Sequence, residues 1–151
     1  KRFIRDGIVC EEQWEKQQWK KYDKFTDGLR FETDRGEIVR SKSEIIIANM
    51  LNKKADNLSY RYEAELYLKK ANRIVYPDFT ILNKKSGKIY YWEHIGMLGN
   101  QIYSNDFVRK ANDYIEDGII PGKQLILTYE TKDEPLNIQV VKILVEEIVK
   151  S

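Results

Sequence analysis

Ile74-Val75-Tyr76-Pro77-Asp78-Phe79-Thr80-Ile81-Leu82, then Asn83-Lys84-Lys85-Ser86-Gly87-Lys88, then Ile89-Tyr90-Tyr91-Trp92-Glu93-His94-Ile95-Gly96 is the stretch on which the reading of this chain turns. Two runs rich in β-branched and aromatic residues flank a polar turn that contains glycine, which predicts a hairpin. Each run carries one carboxylate among apolar neighbours, Asp78 in the first and Glu93 in the second. Burying an unpaired carboxylate costs several kcal/mol, roughly, so the pair calls for a cation. A divalent ion meets that need, and an all-oxygen site favours magnesium or manganese. Alternation puts Tyr76, Asp78 and Thr80 on one face of the first run and Tyr91, Glu93 and Ile95 on one face of the second. In an antiparallel pair both sets can share a side of the sheet. Pro77 donates no ladder hydrogen bond and belongs at an edge or an opening, where a ligand could reach Asp78.

The chain has 151 residues, enough for one domain with a real core, and 42% hydrophobic with 33% charged residues is ordinary for a globular protein. A net charge of +2 gives no strong global field, so nucleic-acid binding would need a local basic patch. Cys10 is the single cysteine, which excludes an intrachain disulfide and points to a reducing, cytoplasmic compartment. No apolar run approaches the ~18 residues of a membrane span, so no membrane partner is expected. The start, Lys1-Arg2-Phe3-Ile4-Arg5, has neither an apolar signal core nor a methionine, which suggests a piece of a longer protein or complex.

Residues 1–40 read as an N-terminal extension of one helix and one hairpin, and 41–151 as the core of a single folded domain. Between Glu11 and Phe25, Trp14, Gln18, Tyr22 and Phe25 share a helical stripe with Trp19 beside it, and Thr26-Asp27-Gly28 stops it. That helix either docks by its aromatics or, through Lys16, Lys20, Lys21 and Lys24, faces a nucleic-acid backbone. Leu29 to Arg40, with Asp34-Arg35-Gly36 at its centre, predicts a small hairpin.

Ser41 and Glu44 form a capping-box pattern for a helix to about Ala55. Glu44 also starts the stripe Glu44, Ile47, Ala48, Leu51, Ala55 that should face the core, so it can serve as cap and as ligand. Tyr60 to Leu68 alternates as one strand, with Glu63 and Glu65 on a face expected to be solvated. A helix from Tyr103 to Asp117, capped by Gly118, carries the stripe Tyr103, Phe107, Lys110, Tyr114. Lysine in an aromatic stripe implies either a carboxylate or phosphate partner or a snorkelling stem. Gln124 to Tyr129 predicts a buried strand, and Ile138 to Val149 a final helix. The sum is an α/β fold with a mixed central sheet flanked by helices.

Pro77-Asp78, a hairpin, Glu93 and the phrase Trp92-Glu93-His94-Ile95-Gly96 resemble the PD-(D/E)xK nuclease superfamily, in particular its RecB-like branch. The resemblance covers about residues 41 to 130 and implies a restriction-endonuclease-like α-β-β-β-α-β core. It implies that Glu44, Asp78 and Glu93 hold Mg2+ or Mn2+, with the backbone carbonyl of His94 as a further ligand. It implies a supporting role for Glu63. The superfamily pattern places lysine two residues after Glu93, where this chain has Ile95. RecB-like members carry a polar residue and a tyrosine four apart on the next helix, and Lys110 and Tyr114 match that spacing. Lys110 is therefore the candidate displaced lysine, assisting a water in hydrolysis of DNA or RNA. Such a site needs its carboxyl groups close together, raising one another's pKa without metal.

His94, the single histidine, falls on the face opposite Glu93 and is expected to pack or hydrogen-bond there. One histidine and one cysteine make zinc a poor candidate. Two other functions compete: a nuclease fold that binds nucleic acid without cutting, favoured if Lys110 points away from Asp78 and Glu93, and a protein-interaction module, favoured by an exposed Trp14/Trp19 patch without an acidic cluster.

Overall fold

The computed structural model describes residues 9–22 and 30–151. Its elements in chain order are α1 (Glu11–Lys16), β1 (Phe31–Glu32), β2 (Ile38–Val39), α2 (Lys42–Asn52), β3 (Leu58–Tyr62), β4 (Leu66–Leu68), β5 (Arg73–Val75), β6 (Phe79–Asn83), β7 (Ile89–Ile95), α3 (Gln101–Glu116), β8 (Leu125–Tyr129) and α4 (Ile138–Lys150). The central sheet has the order β3-β6-β7-β8. Its first three strands run antiparallel and β8 runs parallel to β7, so the sheet is mixed, as expected. A parallel neighbour requires a crossover, and α3 supplies it.

Helices cover both faces. Ile47, Ala48 and Leu51 of α2 and Val141, Val145 and Ile148 of α4 pack on Tyr60, Tyr62, Phe79, Ile81 and Trp92 of the sheet. On the other face Tyr114 of α3 packs with Leu68, Val75 and Leu125. Trp14 of α1 and Val9 cover Leu82 at the far end of that face. No helix among the described residues is long and apolar enough to cross a membrane.

The expected hairpin is present as β6 and β7, but its first strand and the strand expected at Tyr60–Leu68 are each broken. The alternating run Tyr60–Leu68 divides into β3 and β4, and Ile74–Leu82 divides into β5 and β6. Both breaks occur at the same level: residues 63–65 lie opposite 76–78, and β4 and β5 continue as a separate two-stranded ribbon in unchanged register. Pro77 sits in one gap, where its missing N–H costs no ladder bond. Glu63 sits in the other with φ 53, a left-handed conformation that costs a side-chain-bearing residue about 1–2 kcal/mol. Alternation cannot foresee such a bend, because the hydrophobic pattern resumes in phase beyond it.

The first helix is also shorter than its aromatic stripe suggests. α1 ends at Lys16, and Phe25 and the Thr26–Gly28 stop lie outside the described residues. The reason is tertiary. The Trp14 carbonyl accepts from the Arg61 guanidinium at 2.8 Å, and that guanidinium stacks 3.7 Å from the Trp14 ring. Farther on, Lys20 and Tyr22 bond the backbone at Glu65 and Glu63, so the chain leaves the helix to line the bend. α2 likewise stops at Asn52, short of Ala55. The β1–β2 hairpin, α3 with its Gly118 terminator (φ 84), β8 and α4 fall where the sequence places them.

Candidate active site

The bend in the hairpin, the start of α2, the end of β7 and the middle of α3 meet at one end of the sheet. Asp78 stands between two acids. Glu63 lies across from it on the β3–β4 side, its N–H donating to the Asp78 carbonyl at 3.0 Å. Glu93 lies across from it on β7, one step beyond the Phe79–Trp92 pair. The Asp78 carboxylate accepts from the His94 backbone N–H at 2.7 Å.

Glu44 enters from α2. Its N–H donates to Ser41 Oγ at 3.1 Å, completing the N-cap, while its carboxylate accepts from the Arg40 N–H at 2.9 Å and the Tyr62 hydroxyl at 3.1 Å. The side chain is thus both cap and site acid. Among the described residues, Glu44, Glu63 and Asp78 bring one carboxylate oxygen each to within 4.8 Å of one another. The tightest trio therefore contains Glu63, which the alternation pattern assigns to a solvated face. In fact Glu63 is buried and held by both nitrogens of an Arg40 fork at 2.8 Å. Glu65, its neighbour by alternation, is exposed as expected.

Glu93, an expected ligand, is not one of that trio; its carboxylate is held by α3 instead. Lys110 Nζ lies 2.6 Å from Glu93 Oε2, and the Tyr114 hydroxyl donates to the same oxygen at 2.5 Å. Lys110 thus points to the acids, and its spacing from Tyr114 puts both groups on one carboxylate. Tyr103, from the same stripe, bridges the Gly96 N–H and the His94 carbonyl, each at 3.4 Å. That carbonyl, the expected additional ligand, lies on the Glu93 side of β7 with a phenol beside it.

Charge crowding shows in the ionisation of these groups. Burial pushes Asp78 well above the usual aspartate range, and the charges of Glu93 and Glu44 push it further, against the opposing pull of the His94 N–H and Lys110. Burial also raises Glu44, with the Arg40 N–H opposing and Glu63 adding. Burial and the neighbouring acids drive the Tyr62 and Tyr114 hydroxyls far up, so both remain hydrogen-bond donors. Clustered carboxylates that raise one another are the expected signature of a site short of positive charge. An all-oxygen donor set with that deficit fits a hard divalent cation.

On the reverse face of β7, His94 behaves as alternation predicts. Its Nδ1 is 2.8 Å from Thr128 Oγ1 and its Nε2 is 2.6 Å from Glu130 Oε1. Trp92 Nε1 donates to the same threonine at 3.0 Å, and Ser43 donates to the same Glu130 oxygen. Burial would raise Glu130, but Ser43 and His94 hold it below the usual range. This chain ties β7 and β8 to the residue before Glu44.

Sequence reasoning missed Arg40, Tyr62 and Tyr103 and undervalued Glu63. The alignment that brings Glu63 in is the antiparallel pairing of Tyr60–Leu68 with Ile74–Leu82, which sets Glu63 across from Asp78. Comparison with known families, curated proteins and solved structures gave no match, so function rests on the chemistry of the site.

Proposed function

We propose that the chain is a metal-dependent nuclease of the PD-(D/E)xK type, with a restriction-endonuclease-like core. The observation that carries this is a lysine from α3 lying 2.6 Å from Glu93, an acid whose charge, with that of Glu44, raises the ionisation of Asp78 in the trio Glu44, Glu63 and Asp78. Asp78, Glu93 and Glu44, with Glu63 and the His94 carbonyl beside them, would hold magnesium or manganese. That ion would neutralise charge building on a phosphodiester and acidify a bound water. The protein's own groups do the rest. Tyr114 orients Glu93 through its hydroxyl, and the His94 N–H orients Asp78. Lys110, beside Glu93, would offset transition-state charge or hold the attacking water with its ammonium.

Ile95 favours a second reading, a fold that binds nucleic acid without cutting it, because it fills the usual lysine position and is buried at 1% exposure. An interaction module built on a Trp14/Trp19 patch finds less support, since Trp14 is 5% exposed and stacks on Arg61. The deciding experiment is cleavage of labelled single- and double-stranded DNA and of RNA with magnesium or manganese against a chelator control. Asp78→Ala and Glu93→Gln should abolish cutting; the same activity in those variants assigns it to a contaminant or another site.

A further inference from the structure

Two cavities border the acids on either side of Asp78, one lined by Glu63 and the other by Glu93. The first, 160 Å³, is walled by Glu63 and lined by Lys21, Tyr22, Arg30, Arg40 and Tyr62. The second, 320 Å³, is walled by Glu93 and lined by Arg73, Tyr103, Phe107, Arg109 and Lys110. Because β6 lies between β3 and β7 in the sheet, Glu63 and Glu93 flank Asp78 from opposite sides, and each lines one of the cavities. Each combines cationic side chains with aromatic rings, although Asp106 also lines the second, where Arg73, Arg109 and Lys110 are paired with Asp113, Asp106 and Glu93. In the first, the Lys21 ammonium stands 5.3 Å from the centre of the Tyr62 ring, and the Arg40 guanidinium, while paired with Glu63, stands 5.2 Å from that of Tyr22. A chain of net charge +2 has little positive charge to spare, so its placement on both sides of one acid cluster is a local feature. Phosphates need cations and unstacked bases need aromatic faces.

We propose that the cavity at Lys21, Tyr22, Arg30 and Arg40 is a backbone-phosphate subsite, and that one polynucleotide strand runs from it across Asp78 into the Lys110 cavity. This rests on the nuclease reading for its substrate class but not for its test. The path is proposed for an extended single strand, whose unstacked bases the aromatic rings of the two cavities could face. Three cationic residues of the subsite precede the core, which gives the N-terminal extension a function: it holds the strand on the side of the acids that α3 does not reach.

The test uses anisotropy of a short fluorescein-labelled oligothymidylate, titrated with the full chain in chelator at several salt concentrations, so that no chemistry is read. Lys21→Ala should weaken binding about 3- to 10-fold and flatten the salt dependence by about 0.7, one single-strand phosphate contact. Lys21→Met, which keeps the stem over Tyr62, should do the same, and Lys88→Ala at the opposite end of the sheet should do neither. Wild-type affinity and salt slope in both Lys21 variants overturn the subsite, even if the protein cuts DNA. A blunt duplex that binds as tightly as the single strand overturns the strand path. Loss of binding in the Lys21 variants of a protein that cuts nothing supports the subsite and removes the nuclease reading instead.

Discussion

Glu93 and His94 are neighbours on β7, yet they face two different kinds of chemistry. On the Glu93 side, four acids share few cations, and Asp78 and Glu44 are both pushed above their ordinary ionisation range. On the His94 side, Trp92, Thr128, His94, Glu130 and Ser43 form a continuous hydrogen-bonded chain. One face keeps electrostatic stress and the other removes it. The satisfied face holds the backbone of β7 and the start of α2 in place, which allows the stressed face to keep repelling acids close together. Stability is thereby traded for a site that a cation would relieve.

The comparison breaks most visibly at Glu93. Glu93→Gln removes the charge shared by Lys110 and Tyr114 and should lower the cleavage rate at least about a hundredfold with the fold intact, measured by initial rates and circular dichroism. Lys110→Ala should follow with about a 10²-fold fall in kcat, and little change in metal affinity by calorimetry; unaltered kcat would show that the lysine only snorkels. On the quiet face, His94→Ala should cost about 1–3 kcal/mol by removing one of the two partners of Thr128 and of Glu130, read from urea melts.

The smallest effect sharpens the contrast by its sign. Asp78 has a raised pKa in the folded state, so the folded protein holds that proton more tightly than the unfolded chain does. The metal-free protein therefore loses stability as pH rises from the ordinary aspartate range through the raised value, the reverse of a salt-bridged carboxylate. Asp78→Asn should melt a few degrees higher than the parent at neutral pH without metal, a gain that vanishes below about pH 4. Added magnesium should raise the melting temperature of the parent and leave that of Asp78→Asn unmoved. A neutral-pH melt lower than the parent's would mean that Asp78 is not under stress.

Much of this was legible beforehand for a local reason. Ser41 and Glu44 announce a helix start because capping acts over three residues, and the structure keeps that bond. Lys110 and Tyr114 could be paired from spacing alone because a helix repeats every 3.6 residues, and both reach one Glu93 oxygen. Glu63, which the resemblance gave a supporting role, was placed by alternation on a solvated face because alternation is silent about a left-handed bend that preserves phase. The aromatic run after Lys16 suggested more helix because nothing local shows that Arg61 takes the Trp14 carbonyl.

From the sequence alone came the mixed α/β order, the strand pair bearing Asp78 and Glu93, and the lysine-bearing stripe of α3, because each depends on periodicities of a few residues. Only the folded chain decided that Glu63 joins the acids, that Arg40 and Lys110 each take one of them, and that the N-terminal segment lines a second basic cavity. Those facts depend on contacts between residues far apart in sequence, and such contacts exist only once the sheet has bent and the helices have packed.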